Sequence, residues 1–272
     1  MLIDIHSHLD HKWFDRDLDN VVNIQNLVII ATGINPESNR KALEFAKKYK
    51  NVKCTLGIYP KEAFDYEKED QELIGYSDFD IEEELKWIEE KIKEDKNKNK
   101  ENKLIFGIGE IGLDFVNIKE DDQKISNDIE LFRKQLRLAK KYNLTVVIHS
   151  RKAEEKVIDI LEKEFKEENK KIILHAFGGS KKLVKRAVEL GFTFSIPPVL
   201  VRSSHFQMIV SETPITQLLT ETDSPYLGVV REERNEPKNV KFSIKKIAEI
   251  KELSEEKVEK IIYENYVSLV GD

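Results

Sequence analysis

The chain has 272 residues, of which 40% are hydrophobic and 35% charged, and a formal net charge of −6. That length suits one α/β barrel, which takes about 250 residues, and it is enough to bury a sizeable core. The acidic balance excludes a protein that grips duplex DNA by charge alone, because such binders are basic, but it leaves room for an enzyme that meets phosphate through metal ions.

In chain order, short apolar runs alternate with longer amphipathic stretches, the pattern of repeated βα units. The runs predict strands at Leu2–His6, Leu27–Ala31, Lys53–Gly57 and Ile105–Gly109, then Thr145–His149, Lys171–His175, Phe192–Ser195 and Gln217–Glu221. Stretches such as Leu27-Val28-Ile29-Ile30 are nearly continuous hydrophobe, as strands buried on both faces must be. Asn35-Pro36 supplies an N-cap and a first-turn proline for a helix carrying Ala42, Leu43, Ala46 and Tyr49. Ile129, Phe132, Leu136 and Ala139 form another stripe. Ser254 can cap a last helix whose apolar face includes Val258, Ile262, Tyr266 and Leu269. The stretch from Lys96 to Lys103 reads as a solvated loop. The expected architecture is a (β/α)8 TIM barrel forming a single domain over 1–272. The lone cysteine, Cys54, excludes an intrachain disulfide. The N-terminal residues have no basic region and no apolar run approaches roughly 18 residues, so no membrane association and a cytoplasmic location are expected.

The chemistry-bearing residues stand at strand ends. In a closed parallel barrel those ends open on one face, so residues distant in sequence converge there. His6-Ser7-His8 follows the first strand, and in extended chain residues i and i+2 point the same way, so both imidazoles can reach one cation. Glu110 lies in Gly107-Ile108-Gly109-Glu110-Ile111-Gly112, and its two oxygens can bridge two cations. His149 and His175 each end an apolar strand. Asp223, in Glu221-Thr222-Asp223-Ser224-Pro225, is expected to ligate metal and act as base for a bound water, with Glu221 pointing elsewhere. Asp114 suits a supporting or capping role as well as a catalytic one. His11 and His205 lack strand-end positions and read as structural or solvent-facing. Arg151, Arg231 and Arg234 are candidate phosphate contacts, since guanidinium matches phosphate oxygens in a bidentate way.

Together these segments resemble the TatD family of metal-dependent hydrolases and deoxyribonucleases. The likeness is carried by Asp4-Ile5-His6-Ser7-His8-Leu9-Asp10, Gly109-Glu110-Ile111-Gly112-Leu113-Asp114, Ile148-His149-Ser150-Arg151, His175-Ala176-Phe177-Gly178-Gly179, Glu221-Thr222-Asp223-Ser224-Pro225-Tyr226-Leu227 and Arg234-Asn235-Glu236-Pro237. The resemblance implies one or two divalent cations (Mg²⁺, Mn²⁺ or Zn²⁺) and DNA as substrate. It implies that His6, His8 and Asp223 hold the first cation, that His149 and His175 hold the second, and that Glu110 bridges them. The chain departs from the family pattern at Tyr59, where a histidine is usual, so Tyr59 is expected to alter substrate contacts. It departs again at Ala176, Gly178 and Pro197-Pro198. Two other functions compete. One is hydrolysis of a different ester or of an amide on the same centre; related amidohydrolases often bridge their metals with a modified lysine, where this fourth strand offers Glu110. The other is a binding protein with a structural metal, but structural zinc sites are closed and often contain cysteine.

Overall fold

The computed structural model describes residues 1–63, 79–99, 102–116, 122–165 and 171–270. Its strands are β1 (Leu2–Ser7), β2 (Leu27–Thr32), β3 (Val52–Leu56), β4 (Ile105–Asp114), β5 (Thr145–Arg151), β6 (Ile172–Leu174), β7 (Thr193–Ile196) and β8 (Leu218–Thr220). They pair in parallel, in sequence order from β1 to β8. The helices are α1 (Leu18–Val22), α2 (Pro36–Lys48), α3 (Pro60–Ala63), α4 (Ile81–Lys96), α5 (Asp122–Tyr142), α6 (Glu154–Glu164), α7 (Lys181–Glu189), α8 (Ser204–Glu212), α9 (Val240–Lys251) and α10 (Glu255–Leu269). Helices between parallel strands make this the (β/α)8 barrel that the apolar runs predict.

The sheet closes between β8 and β1 near the strand ends. The Asp223 amide donates to the His6 carbonyl at 2.9 Å, and the His8 amide to the Ser224 carbonyl at 2.9 Å. Below them, the buried Asp4 carboxylate accepts the Thr222 amide at 2.8 Å and its hydroxyl at 2.6 Å. The closing seam therefore runs through segments that carry three of the candidate site residues.

One contiguous cluster of buried side chains joins the strands to the helices, from Ile3 and Ile29 to Ile262 and Leu269. Each such aliphatic side chain contributes about 1.5–3 kcal/mol on leaving water. Asn35 caps α2 as expected, its side chain accepting from the Ser38 amide while the Ser38 hydroxyl closes the reciprocal bond. Ser254 caps α10 through the Lys257 amide.

Three features differ from expectation. β4 continues past Gly109 to Asp114, so Glu110 lies within the strand. The register against β5 shifts between Ile108 and Ile111, a bulge that re-aims the side chains there. Gly112 permits the continuation: its φ is +143°, and a Cβ would stand 2.0 Å from the His149 carbonyl oxygen. Second, two helices, α9 and α10, follow β8. Third, the stretch read as a solvated loop is fastened at both ends: α4 reaches Lys96, and Asp95 accepts the Leu104 and Ile105 amides at 3.0 Å each, tying the loop to the foot of β4. Residues 100 and 101 of it lie outside the described residues. No helix among the described residues is long and apolar enough to cross a membrane.

Candidate metal centre

The first donor set forms where β1, β4 and β8 end together. His6 Nε2 lies 3.3 Å from His8 Nε2, 3.3 Å from Glu110 Oε2 and 3.6 Å from Asp223 Oδ1. His8 Nε2 lies 3.3 Å from Asp223 Oδ1 and 3.8 Å from Glu110 Oε2. Four donors held tetrahedrally at about 2.1 Å from one cation stand about 3.4 Å apart. The spacing in the protein matches that cage. Two imidazole nitrogens and two carboxylate oxygens face one point, and these are the donor types that divalent cations take. A cation satisfies all four, so these residues fit a metal.

A second donor set shares Glu110. Its other oxygen, Oε1, lies 2.8 Å from His149 Nδ1 and 3.9 Å from His175 Nε2. His175 Nε2 is also 4.0 Å from Asp223 Oδ1, and its ring stacks on His6 with centroids 3.8 Å apart. Glu110 thus turns one oxygen to each set.

Each of these two histidines has a carboxylate on its outer nitrogen. His175 Nδ1 meets Glu221 Oε2 at 2.7 Å, and a carboxylate only accepts, so Nδ1 carries the proton and Nε2 faces the centre. Glu221 is fully buried and also accepts the Ser195 hydroxyl at 2.5 Å and the Ala176 amide at 2.9 Å. His149 Nε2 meets Asp114 Oδ2 at 3.2 Å, leaving Nδ1 for the centre. Asp114 in turn accepts the Tyr59 hydroxyl at 2.5 Å, Arg151 Nε at 2.8 Å and the Val116 amide at 2.9 Å. His6, His175 and Glu221 form a further close group. Glu221 is nevertheless engaged on the far side of the His175 ring, so it orients that ring.

The electrostatics follow from this crowding. Burial pushes the Glu110 carboxyl up, yet His6 and His149 beside it hold it well below the usual range. Burial likewise opposes ionisation of Asp223, and His8, His175 and His6 overcome it. Burial opposes a charge on His175, but Glu221 pushes its pKa up to about 10. The carboxylates therefore stay ionised at neutral pH in a buried cluster, an arrangement that attracts cations.

Over nearly its whole length the chain is similar to known proteins. The family model described as TatD related DNase matches residues 3–271. The chain belongs to the TatD family. It is 34% identical to the human deoxyribonuclease TATDN3 over 98% of this chain and 94% of that protein. It is also 34% identical to an uncharacterized metal-dependent hydrolase from Methanocaldococcus jannaschii, over 97% and 94% of the two chains. The crystal structure of the TatD homolog YJJV from Escherichia coli superposes with a TM-score of 0.79 at 22% identity, covering 99% and 97%.

The structure brings His6, His8, Glu110, His149, His175 and Asp223 together. Glu221 points away from the centre, as expected, and its carboxylate holds the outer nitrogen of His175. Arg234 differs from expectation. Its guanidinium is engaged by Asp17 in a bidentate pair at 2.7 Å, by Glu236 at 2.7 Å and by the Trp13 carbonyl at 2.7 Å, so it fastens loops together. Tyr59 does not turn its hydroxyl to the solvent; that hydroxyl closes on Asp114 and lies 3.3 Å from His149 Nε2. Arg151 stays at the rim, its side chain 49% exposed. Arg231 is exposed on the loop after β8. His11 is a structural cap that accepts the Trp13 amide at 3.2 Å, and His205 meets the Phe177 carbonyl at 3.0 Å. The sequence reading missed Lys61, whose Nζ lies 3.7 Å from Asp114 Oδ1. Its only sequence signal is its place two residues after Tyr59, in the short helix α3 that follows β3.

Proposed function

We propose that this chain is a divalent-metal-dependent phosphodiesterase that hydrolyses DNA, acts in the cytoplasm and forms one catalytic domain over 1–272. The observation that carries the reading is Glu110, whose two oxygens face two separate donor sets. His6, His8 and Asp223 would hold one cation, and His149 and His175 the other. When bound, such cations acidify water and clamp the attacking and leaving oxygens of an in-line phosphoryl displacement.

The chain's own groups do the rest. Asp223 stays ionised although buried, so it can take the proton of the attacking water. Glu221 and Asp114 fix the His175 and His149 rings, so both faces of the centre are set before substrate arrives. Arg151 and Lys61, both beside Asp114, place positive charge next to the His149 side of the site. Arg231 offers a further phosphate contact from the outer loop. The relatives named as deoxyribonucleases support DNA as the polymer.

The test is cleavage of end-labelled single-stranded DNA, duplex DNA and RNA in a series of Mg²⁺, Mn²⁺ and Zn²⁺. The expected result is metal-dependent shortening of DNA, abolished by EDTA and reduced at least about a hundredfold by Asp223→Asn. Turnover by the parent that persists unchanged in Asp223→Asn and His149→Ala would overturn the assignment.

A further inference from the structure

A line of rings leads from the centre to solvent. The His8 ring meets Tyr226 at a centroid distance of 6.3 Å, and Tyr226 meets His11 at 5.7 Å. His11 meets Trp13 at 5.2 Å and 85°. Trp13 is 46% exposed, a large apolar surface to leave in water next to a polar site. Among the described residues, the other exposed large hydrophobics include Val201 and Val230, on the loops after β7 and β8, at the same end of the barrel.

The turn that presents Trp13 is held firmly. Its amide donates to His11 Nδ1 and its carbonyl accepts from Arg234 Nη1. Phe14, fully buried, lies under the Arg234 guanidinium at 5.1 Å. The loops after β7 and β8 are joined as well: the Val199 amide donates to the Leu227 carbonyl at 2.9 Å, and Arg202 Nε to the Val229 carbonyl at 2.9 Å. Lys12, Arg202 and Arg231 are exposed on these segments. A half-exposed indole on a firmly held turn, with the exposed Lys12 beside it, suits single-stranded nucleic acid, where bases stack on aromatic rings and phosphates meet cations. Every base has a π-face, so such a platform works without sequence preference. Holding the ring rigid removes part of the ordering cost of binding.

Resting on the phosphodiesterase reading above, we infer that Trp13 is a base-stacking platform for an unpaired nucleotide of the strand being cut, with His11 and Tyr226 linking it to the centre. A base paired within a duplex cannot lie on Trp13, so the platform selects strands with an unpaired nucleotide near the scissile bond.

Binding can be read without turnover, in EDTA. The chain has two tryptophans, so Trp87→Phe leaves Trp13 as the only indole reporter. Titration with a single-stranded thymidine dodecamer is expected to quench its fluorescence. Trp13→Ala is expected to lower affinity roughly tenfold, and Trp13→Phe to restore most of it. An abasic dodecamer is expected to bind the parent and Trp13→Ala within twofold of each other. Melting curves of both variants that match the parent establish that the fold is intact. Equal affinity of parent and Trp13→Ala for the thymidine strand, or no quenching on binding, would overturn the platform while leaving DNA cleavage standing. Failure of the parent to bind or cleave any DNA with any metal would remove the phosphodiesterase reading and the platform with it.

Discussion

Replacing Glu221 with glutamine removes one charge and one acceptor while keeping the shape. Three donors converge on the two carboxylate oxygens: His175 Nδ1 and the Ser195 hydroxyl on Oε2, and the Ala176 amide on Oε1. A glutamine has one oxygen, so its NH₂ must face a donor whichever way it is turned. If the oxygen serves His175 and Ser195, the part-buried Ala176 amide loses its partner. A buried donor left unsatisfied costs about 1–3 kcal/mol, so this part-buried one costs toward the lower end, about 1 kcal/mol. At roughly 2–4 °C per kcal/mol for a chain of this size, the metal-free protein should melt about 2–4 °C lower. The second effect is functional. Without the carboxylate, His175 is a weaker base and its ring is less firmly held, and substitutions of this kind cost about 10- to 100-fold in metal affinity. Competition against a chromophoric chelator measures the affinity, and calorimetry the melting. A lower melting temperature with Zn²⁺ affinity within twofold of the parent would refute the reasoning, because Glu221 would then support packing alone.

Two further outcomes follow from the same geometry. Metal at about a hundredfold over its Kd should stabilise the fold by about 2.7 kcal/mol, so the melting temperature should rise by 5 °C or more and return on adding EDTA; no shift with Mg²⁺, Mn²⁺ or Zn²⁺ would contradict a bound cation. Arg234→Ala and Asp17→Ala should each lower the melting temperature, and the double variant should melt no lower than the worse single one, since both remove the same bidentate pair; additive effects would show that the two residues act independently.

The barrel was legible because strands buried on both faces leave continuous apolar runs, as in β2 and β5. The candidate ligands were legible for a related reason: a barrel gathers its strand ends, so a histidine closing an apolar run is already placed. Elsewhere the sequence misleads or is silent for physical reasons. Gly109 looks like the end of a strand, whereas here glycines let β4 and β5 approach closely and the strand run on to Asp114. Glu221 stands two residues before Asp223, and its partners come from the ends of β6 and β7, whose relative height only the folded sheet fixes. Arg234 and Asp17 are 217 residues apart, and nothing local to either marks the pair. α9 lacks a side-chain cap at its start, so the signal that revealed α10 has no counterpart there.

The central claim is that Glu110 divides the site into two cation positions. Anomalous diffraction from crystals soaked in Mn²⁺ tests it most directly. Two peaks about 3.5–4 Å apart are expected, one among His6, His8 and Asp223 and the other beside His149 and His175, each touching a different oxygen of Glu110. Absence of any peak at saturating metal, or a single peak ligated by Glu221 in place of Glu110, would contradict it.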